Sequence, residues 1–152
     1  MRAWRVCKRR YAASAFDGEG AFRYGGRWNS PGTRVVYVAA SPALAALEII
    51  VNTDDPEDLF RIPYAVIPVE IPDGRVTRPV SLPSDWKQDP PPPSSAKVGD
   101  DWARAQASVA LEVPSAVVPV ENNYLLNPLH PDFRQLNIGD LQPFEFDPRL
   151  AK

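Results

Sequence analysis

The chain has 152 residues, a net charge of −2 at neutral pH and 24% charged residues, so it carries no polybasic field for nucleic acid or anionic lipid. A single cysteine excludes a disulfide framework and fits a reducing cytoplasm, and no apolar run reaches the ~18 residues of a membrane span. Proline fills 18 of 152 positions, about 12% against a usual ~5%, which favours short strands and fixed turns over long helices.

Ala3–Cys7 reads as a first strand, with Trp4 and Val6 on one face and Arg5 on the other. The start, Met1–Val6, lacks the apolar core of a signal peptide. Lys8–Tyr11 is basic, and Ser14–Gly20 reads as a Gly-rich loop. Arg27 follows the Gly25-Gly26 pair, where backbone without Cβ atoms can come close to a ligand. Asn29-Ser30-Pro31-Gly32 is a turn. Arg34–Ala39 reads as a strand with Val35, Tyr37 and Ala39 on one face and Val36 and Val38 on the other. Ser41 is a good N-cap and Pro42 suits the first helical position, so Ala43–Val51 reads as a helix ending near Asn52. Leu44, Leu47 and Val51 fall on one stripe, and Glu48 falls inside it. A carboxylate on an apolar face needs a cation, hydrogen-bond donors or a proton, because burying a bare charge is costly. Arg27, one short strand away, is the expected partner; the bland alternative leaves Glu48 at the stripe's edge, in water.

Thr53–Pro56 ends that helix. Arg61–Ile71 is strand-like, but Pro63 and Pro68 push it toward a sheet edge. Pro72–Gly74 is a turn, and Val76–Val80 a short strand. Residues 81–97, with Pro90–Pro93 in a row, read as a Pro-rich surface loop; the alternative is a polyproline ligand. Neither flank of that loop is large enough for its own core, so residues 1–152 form a single domain. Gly99-Asp100-Asp101-Trp102 reads as a helix start, with a short Ala-rich helix to Ala107. Val109–Val113 and Ala116–Val120 read as strands flanking Pro114-Ser115, and Asn122–His130 as a loop. Phe144 and Phe146 belong to a last edge strand.

Two blocks resemble a known family. One runs from Gly25-Gly26-Arg27-Trp28-Asn29 to Ala46-Leu47-Glu48; the other joins Leu111–Pro119 to Asn123-Tyr124-Leu125-Leu126-Asn127-Pro128. In this order they resemble the RES domain, the toxin half of bacterial RES–Xre toxin–antitoxin pairs, over nearly the whole chain. The Arg, Glu and Ser that name the family fall on Arg27, Glu48 and Ser115. The resemblance implies an ADP-ribosyltransferase-like α+β fold: two small, twisted, mainly antiparallel sheets, a few short helices and a cleft between them. It also implies consumption of NAD+, by hydrolysis or phosphorolysis in some members and by ADP-ribosylation of a protein in at least one. The implied partner is an Xre-family antitoxin that plugs the cleft.

The residues agree with that implication. No Gly-x-Gly-x-x-Gly opens a helix, and no P-loop is present. One histidine and one cysteine cannot make a His/Cys zinc site, so no metal and no prosthetic group is expected. His130 lacks a Gly-x-Ser-x-Gly elbow and reads as a loop-structuring residue. Arg27, Tyr37, Glu48 and Ser115 suit a substrate that carries phosphates, an aromatic ring and a bond ready to ionise, and NAD+ is such a substrate. Arginine can fork onto a pyrophosphate, and a tyrosine ring can stack on nicotinamide. A carboxylate can stabilise the ribose cation, and nicotinamide leaves as a neutral ring without a general acid. The roles expected are phosphate or ribose binding for Arg27, nicotinamide packing for Tyr37, cation stabilisation for Glu48, and ribose binding or Glu48 positioning for Ser115. Asn123 and Asn127 are further substrate-binding candidates. The bland readings are a core aromatic for Tyr37, a backbone cap for Ser115, core positions for Trp28 and Trp102, and solvated side chains for Arg23 and Arg34. A non-catalytic nucleotide-binding module is the rival from another class.

Overall fold

The computed structural model describes residues 1–151. Its strands are β1 (Arg2–Lys8), β2 (Val36–Ala39), β3 (Tyr64–Glu70), β4 (Val76–Thr77), β5 (Ala110–Pro114), β6 (Asn122–Leu126), β7 (Asn137–Ile138) and β8 (Gln142–Phe144). The α-helices are α1 (Glu19–Tyr24), α2 (Pro42–Val51), α3 (Asp58–Arg61) and α4 (Pro93–Ala105). The strand order is β4-β5-β6-β2-β1-β3-β7, with β8 also paired to β3, and only β4 and β5 run parallel.

The split in this sheet positions the site. β1 and β3 pair all the way from Arg2↔Glu70 to Lys8↔Tyr64, and β2 and β6 from Val36↔Leu126 to Ala39↔Asn123. β1 and β2 meet at one register pair, Trp4↔Ala39. The two expected sheets are therefore two halves of a single strand path, joined at that pair. Both halves are covered on the same side. α2 brings Leu44 onto Val6 and Ala39, and α4 brings Trp102 onto Val35, Leu111 and Leu125. The other side packs Ala3, Val36, Val38, Val69, Tyr124 and Leu126.

α2 begins as its sequence predicts: the Ser41 hydroxyl accepts a bond from the Leu44 amide at 3.1 Å, and Pro42 follows at the first position. Its inward face is not the expected stripe. Leu44 and Ala45 are buried, but Leu47 is 39% and Val51 60% exposed. The face that meets β1 and β2 is turned toward Ala45 and Ile49, which leaves Glu48 half-buried at its border.

Several expectations need correction. The loop expected over residues 81–97 ends at Pro92, and α4 starts at Pro93, well before Gly99. Proline at the first helical position is pre-set for a helix start, while Gly99 sits buried mid-helix. A Cβ on Gly99 would stand 1.7 Å from the Trp28 carbonyl oxygen, so glycine is what allows α4 to lie against that backbone. Asn122–Leu126, expected as loop, is the inner strand β6, because Tyr124, Leu125 and Leu126 are buried on both faces. Ala116–Val120, expected as strand, is a turn, with the Val117 and Val118 amides bonded to the Ser115 hydroxyl. β3 is no edge strand: it lies between β1 and β7/β8, and Pro68 falls in the stretch between the two partners, where its carbonyl accepts from Gly139. The expected strands 34–39 and 76–80 shorten to Val36–Ala39 and Val76–Thr77, and the loop 14–20 gives way to α1 at Glu19. The last strand, β8, ends at Phe144, and Phe146 packs beyond it edge-on to Tyr64.

Candidate active site

Glu48 is held by neutral donors. Its Oε1 accepts from the Ser115 hydroxyl at 2.8 Å and from Asn123 Nδ2 at 2.7 Å. Oε2 takes no hydrogen bond from the described residues, and Glu48 lines a cleft of about 680 Å³. Ser115 is fully buried in the bend after β5, and its oxygen also accepts from the Val117 and Val118 amides. Both readings of Ser115 thus hold in one atom: it caps its own turn and fixes the acid. Asn123 comes from β6, in register with Ala39 and so with Trp4, in the row that joins the sheet halves. Its Oδ1 is buried without a partner. The expected Arg27–Glu48 ion pair does not form.

Arg27 has other partners. Its Nη1 donates to the carbonyl oxygens of Trp86 at 2.9 Å and Gln88 at 2.6 Å, and its own carbonyl accepts from Ser95 at 2.8 Å. Carbonyls hold a guanidinium without neutralising it, so the charge still faces the cleft. The Trp86 ring stacks on Trp28 at 5.9 Å, which fastens the proline-rich segment to the Arg27 turn. Gly26 and Asn29 close that turn by bonding each other's backbone.

The Tyr37 hydroxyl is fully engaged. It donates to Asn29 Oδ1 at 2.7 Å and accepts from the Trp28 amide at 3.0 Å. Burial pushes the phenol well above its usual range, so it stays protonated. A Cβ on Gly26 would lie 2.7 Å from this oxygen, so the glycine clears the space that the phenol fills. With its oxygen committed, Tyr37 offers the cleft a ring and no proton.

The cleft lies over the split, between α2 and the Arg27 turn. It is lined by Arg27, Tyr37, Glu48 and Asn123, by Trp4 and Arg5 of β1, and by Lys87, Asp89 and Pro91 of the proline-rich segment. Asn127 is not among them; it is buried elsewhere, donating to the Ala103 carbonyl and accepting from the Leu129 amide. Trp28 and Trp102 are core, and Arg23 is solvated. Arg34 is less solvated than expected: it is three-quarters covered, pairs with Glu19 and lies over the Phe22 ring. His130 accepts from the Asp132 amide and sits by the Gln106 carbonyl, so it structures its loop.

Sequence reasoning missed three things. Arg5 crosses the split: its Nη1 donates to the Tyr37 carbonyl at 2.9 Å, where the backbone ladder is broken. Its Nε is buried without a partner, no carboxylate lies in ion-pair range among the described residues, and burial lowers its affinity for a proton. The signal was an arginine in mid-strand, flanked by the apolar Ala3, Trp4, Val6 and Cys7. Asn29 looked like a turn residue, and the grip of Trp86 and Gln88 on Arg27 runs through backbone atoms that carry no sequence signature.

Residues 2–147 match the RES domain model. The chain belongs to the RES domain family. It is 41% identical over 152 residues to "Toxin Res" of Yersinia enterocolitica serotype O:8 / biotype 1B, with 99% of each chain covered. It is 35% identical over 156 residues to the "Prs ADP-ribosylating toxin" of Sphingobium sp. strain YBL2, covering 98% of this chain and 96% of that one. Its fold matches a chain in the crystal structure of the M. tuberculosis MbcT–MbcA toxin–antitoxin complex with a TM-score of 0.76 at 20% identity, covering 98% of this chain and 85% of that one. The α+β architecture expected of a RES domain, mainly antiparallel strands with a few short helices, is found, as one split sheet rather than two, and it is the fold of that neighbour.

Proposed function

We propose that this RES domain is the toxin of a toxin–antitoxin pair and that it consumes NAD+ by breaking the nicotinamide–ribose bond. The observation that carries the reading is the fixed acid. Glu48 is clamped through Oε1 by Ser115 and Asn123, and it lines a cleft together with Arg27 and Tyr37. The chemistry follows from these groups. The C–N electron pair leaves with nicotinamide, which departs neutral, and positive charge develops on the ribose. A carboxylate fixed beside it stabilises that charge, and its clamp removes the need to reorganise. Water or phosphate then adds to the ribose carbon, losing a proton. Arg27, with Arg5 at the split, supplies positive charge for the substrate's phosphates. Tyr37 packs on the nicotinamide ring.

The test is nicotinamide release by the purified protein with and without added phosphate. Free ADP-ribose, or its phosphate when phosphate is present, supports the proposal; NAD+ binding without nicotinamide release would mark a non-catalytic nucleotide-binding module. A second reading, ADP-ribosylation of a protein, draws support from the name of the Sphingobium relative. It predicts a covalent adduct on a lysate protein by mass spectrometry. The partner we propose is an Xre-family antitoxin that covers the cleft, a reading in keeping with the toxin–antitoxin complex that shares the fold.

A further inference from the structure

We infer that Asn29 is the positioning residue that sets Arg27 and Tyr37 together, an inference that rests on the NAD+ reading above. Asn29 is 1% exposed, and its side chain reaches three separate parts of the fold. Nδ2 lies within hydrogen-bond range of the Ala21 carbonyl in α1 at 2.9 Å and of the Ser30 and Thr33 carbonyls in the following turn at 3.2 and 3.0 Å. Oδ1 accepts the Tyr37 hydroxyl proton from β2. Its backbone meanwhile closes the turn that carries Arg27, with Gly26 N donating to the Asn29 carbonyl at 2.9 Å. An asparagine that only makes a turn bonds its own neighbouring backbone. This one also holds a phenol on the next strand. It thereby sets the spacing between the ring expected to meet nicotinamide and the guanidinium expected to meet phosphate. Only an amide does both jobs: aspartate keeps the acceptor for Tyr37 but abandons the carbonyls, and serine is too short to span the gap.

A double-mutant cycle with Asn29→Ser and Tyr37→Phe tests this, because both remove the same hydrogen bond. Tyr37→Phe is expected to lower kcat/KM for NAD+ about 10-fold, Asn29→Ser several-fold more because it also loosens Arg27, and the pair little more than Asn29→Ser alone, since residues acting through one bond are non-additive. Affinity for ADP-ribose, which lacks the ring, is expected to fall several-fold in Asn29→Ser through Arg27 and to hold in Tyr37→Phe. A merely structural role would weaken both ligands alike. Should Asn29→Ser not fold, Asn29→Asp takes its place: the Tyr37-linked loss is then small and the ADP-ribose loss remains. Multiplying effects on kcat/KM, or wild-type turnover by a folded Asn29→Ser protein, overturn the inference alone. Absence of nicotinamide release from the wild-type protein overturns the NAD+ reading, and the functional role of Asn29 goes with it.

Discussion

Ser115 and Glu48 stand 67 positions apart in the chain and 2.8 Å apart in the fold. One oxygen of Ser115 gives its proton to Glu48 and takes two from the backbone of its own turn. The turn and the acid therefore share an anchor. Ser115→Ala removes it while Asn123 still holds Oε1. The expected result is a fall in kcat of about 10-fold and, from the two orphaned amides, a loss of about 1–3 kcal/mol of stability. Steady-state kinetics and urea unfolding measure both. An unchanged kcat would mean that Asn123 alone positions the acid.

Glu48→Gln separates charge from shape. Glutamine fills the same space and still accepts from Ser115. If Glu48 stabilises a ribose cation, nicotinamide release should fall at least about 100-fold, the usual scale for removing one electrostatic stabiliser. ADP-ribose binding should stay within a few-fold. Wild-type turnover by a folded Glu48→Gln protein would remove the role.

Arg27 presents a guanidinium whose protein partners are two carbonyls on one nitrogen. Arg27→Ala should raise KM for NAD+ at least about 10-fold with a smaller change in kcat, because a charge-assisted bond to phosphate acts in ground and transition state alike. Arg27→Lys should not restore it, since an ammonium cannot hold both carbonyls and still offer a planar edge. If KM stays put in Arg27→Ala, Arg5 or Lys87 carries the phosphates instead.

The helix that carries Glu48 was legible in the sequence, because Ser41 and Pro42 fix where α2 starts, but the helical period set Glu48 inside a stripe with Leu47 and Val51, which are exposed, whereas Glu48 lies at the border of the inward face. Of its partners, Ser115 was expected either to bind ribose or to position Glu48, and it does contact Glu48; Asn123 was not expected there, the sequence pointing instead to a nearby cation, because strand pairing across 67 and 75 positions leaves no local mark. β6 was misread for a physical reason. Asn122, Asn123, Asn127 and Pro128 are turn formers by propensity, but burial of Tyr124–Leu126 on both faces overrides it. The start of α4 was misread in the opposite way: four prolines look like a loop, yet the last of them, Pro93, is the first residue of a helix.

Gly99 tests how tightly α4 backs the site. A methyl group there meets the Trp28 carbonyl carbon and oxygen, backbone atoms that cannot swing aside. Gly99→Ala should lower stability by more than about 2 kcal/mol and disturb NAD+ turnover, since Trp28 adjoins Arg27. Gly20→Ala is the control. Gly20 lies in α1 with nothing within 4 Å of its added Cβ, so that change should be neutral or stabilise by about 0.5–1 kcal/mol. Equal effects from the two would show that α4 does not press on the turn.

The buried Tyr37 phenol predicts an alkaline signature. Burial raises its folded value, while the unfolded chain titrates near the usual ~10. Above that pH the unfolded state releases the proton and the folded state keeps it, so the unfolded state binds fewer protons and stability falls as pH rises. The contribution is fully present below about pH 10 and is lost above it. Tyr64, Tyr124 and Cys7 are raised by burial as well, but they act equally in wild type and in Tyr37→Phe and cancel in the difference. At pH 7 the phenylalanine variant should be less stable by about 1–3 kcal/mol, because Asn29 Oδ1 and the Trp28 amide lose their partner. As pH climbs from about 10 toward 11, only the wild type carries the Tyr37 proton penalty, so the gap should narrow. Urea midpoints for both proteins from pH 8 to 11 measure it. A gap that stays constant or widens would show that the phenol ionises in the folded protein, and that its hydroxyl is open to the cleft rather than bound to Asn29.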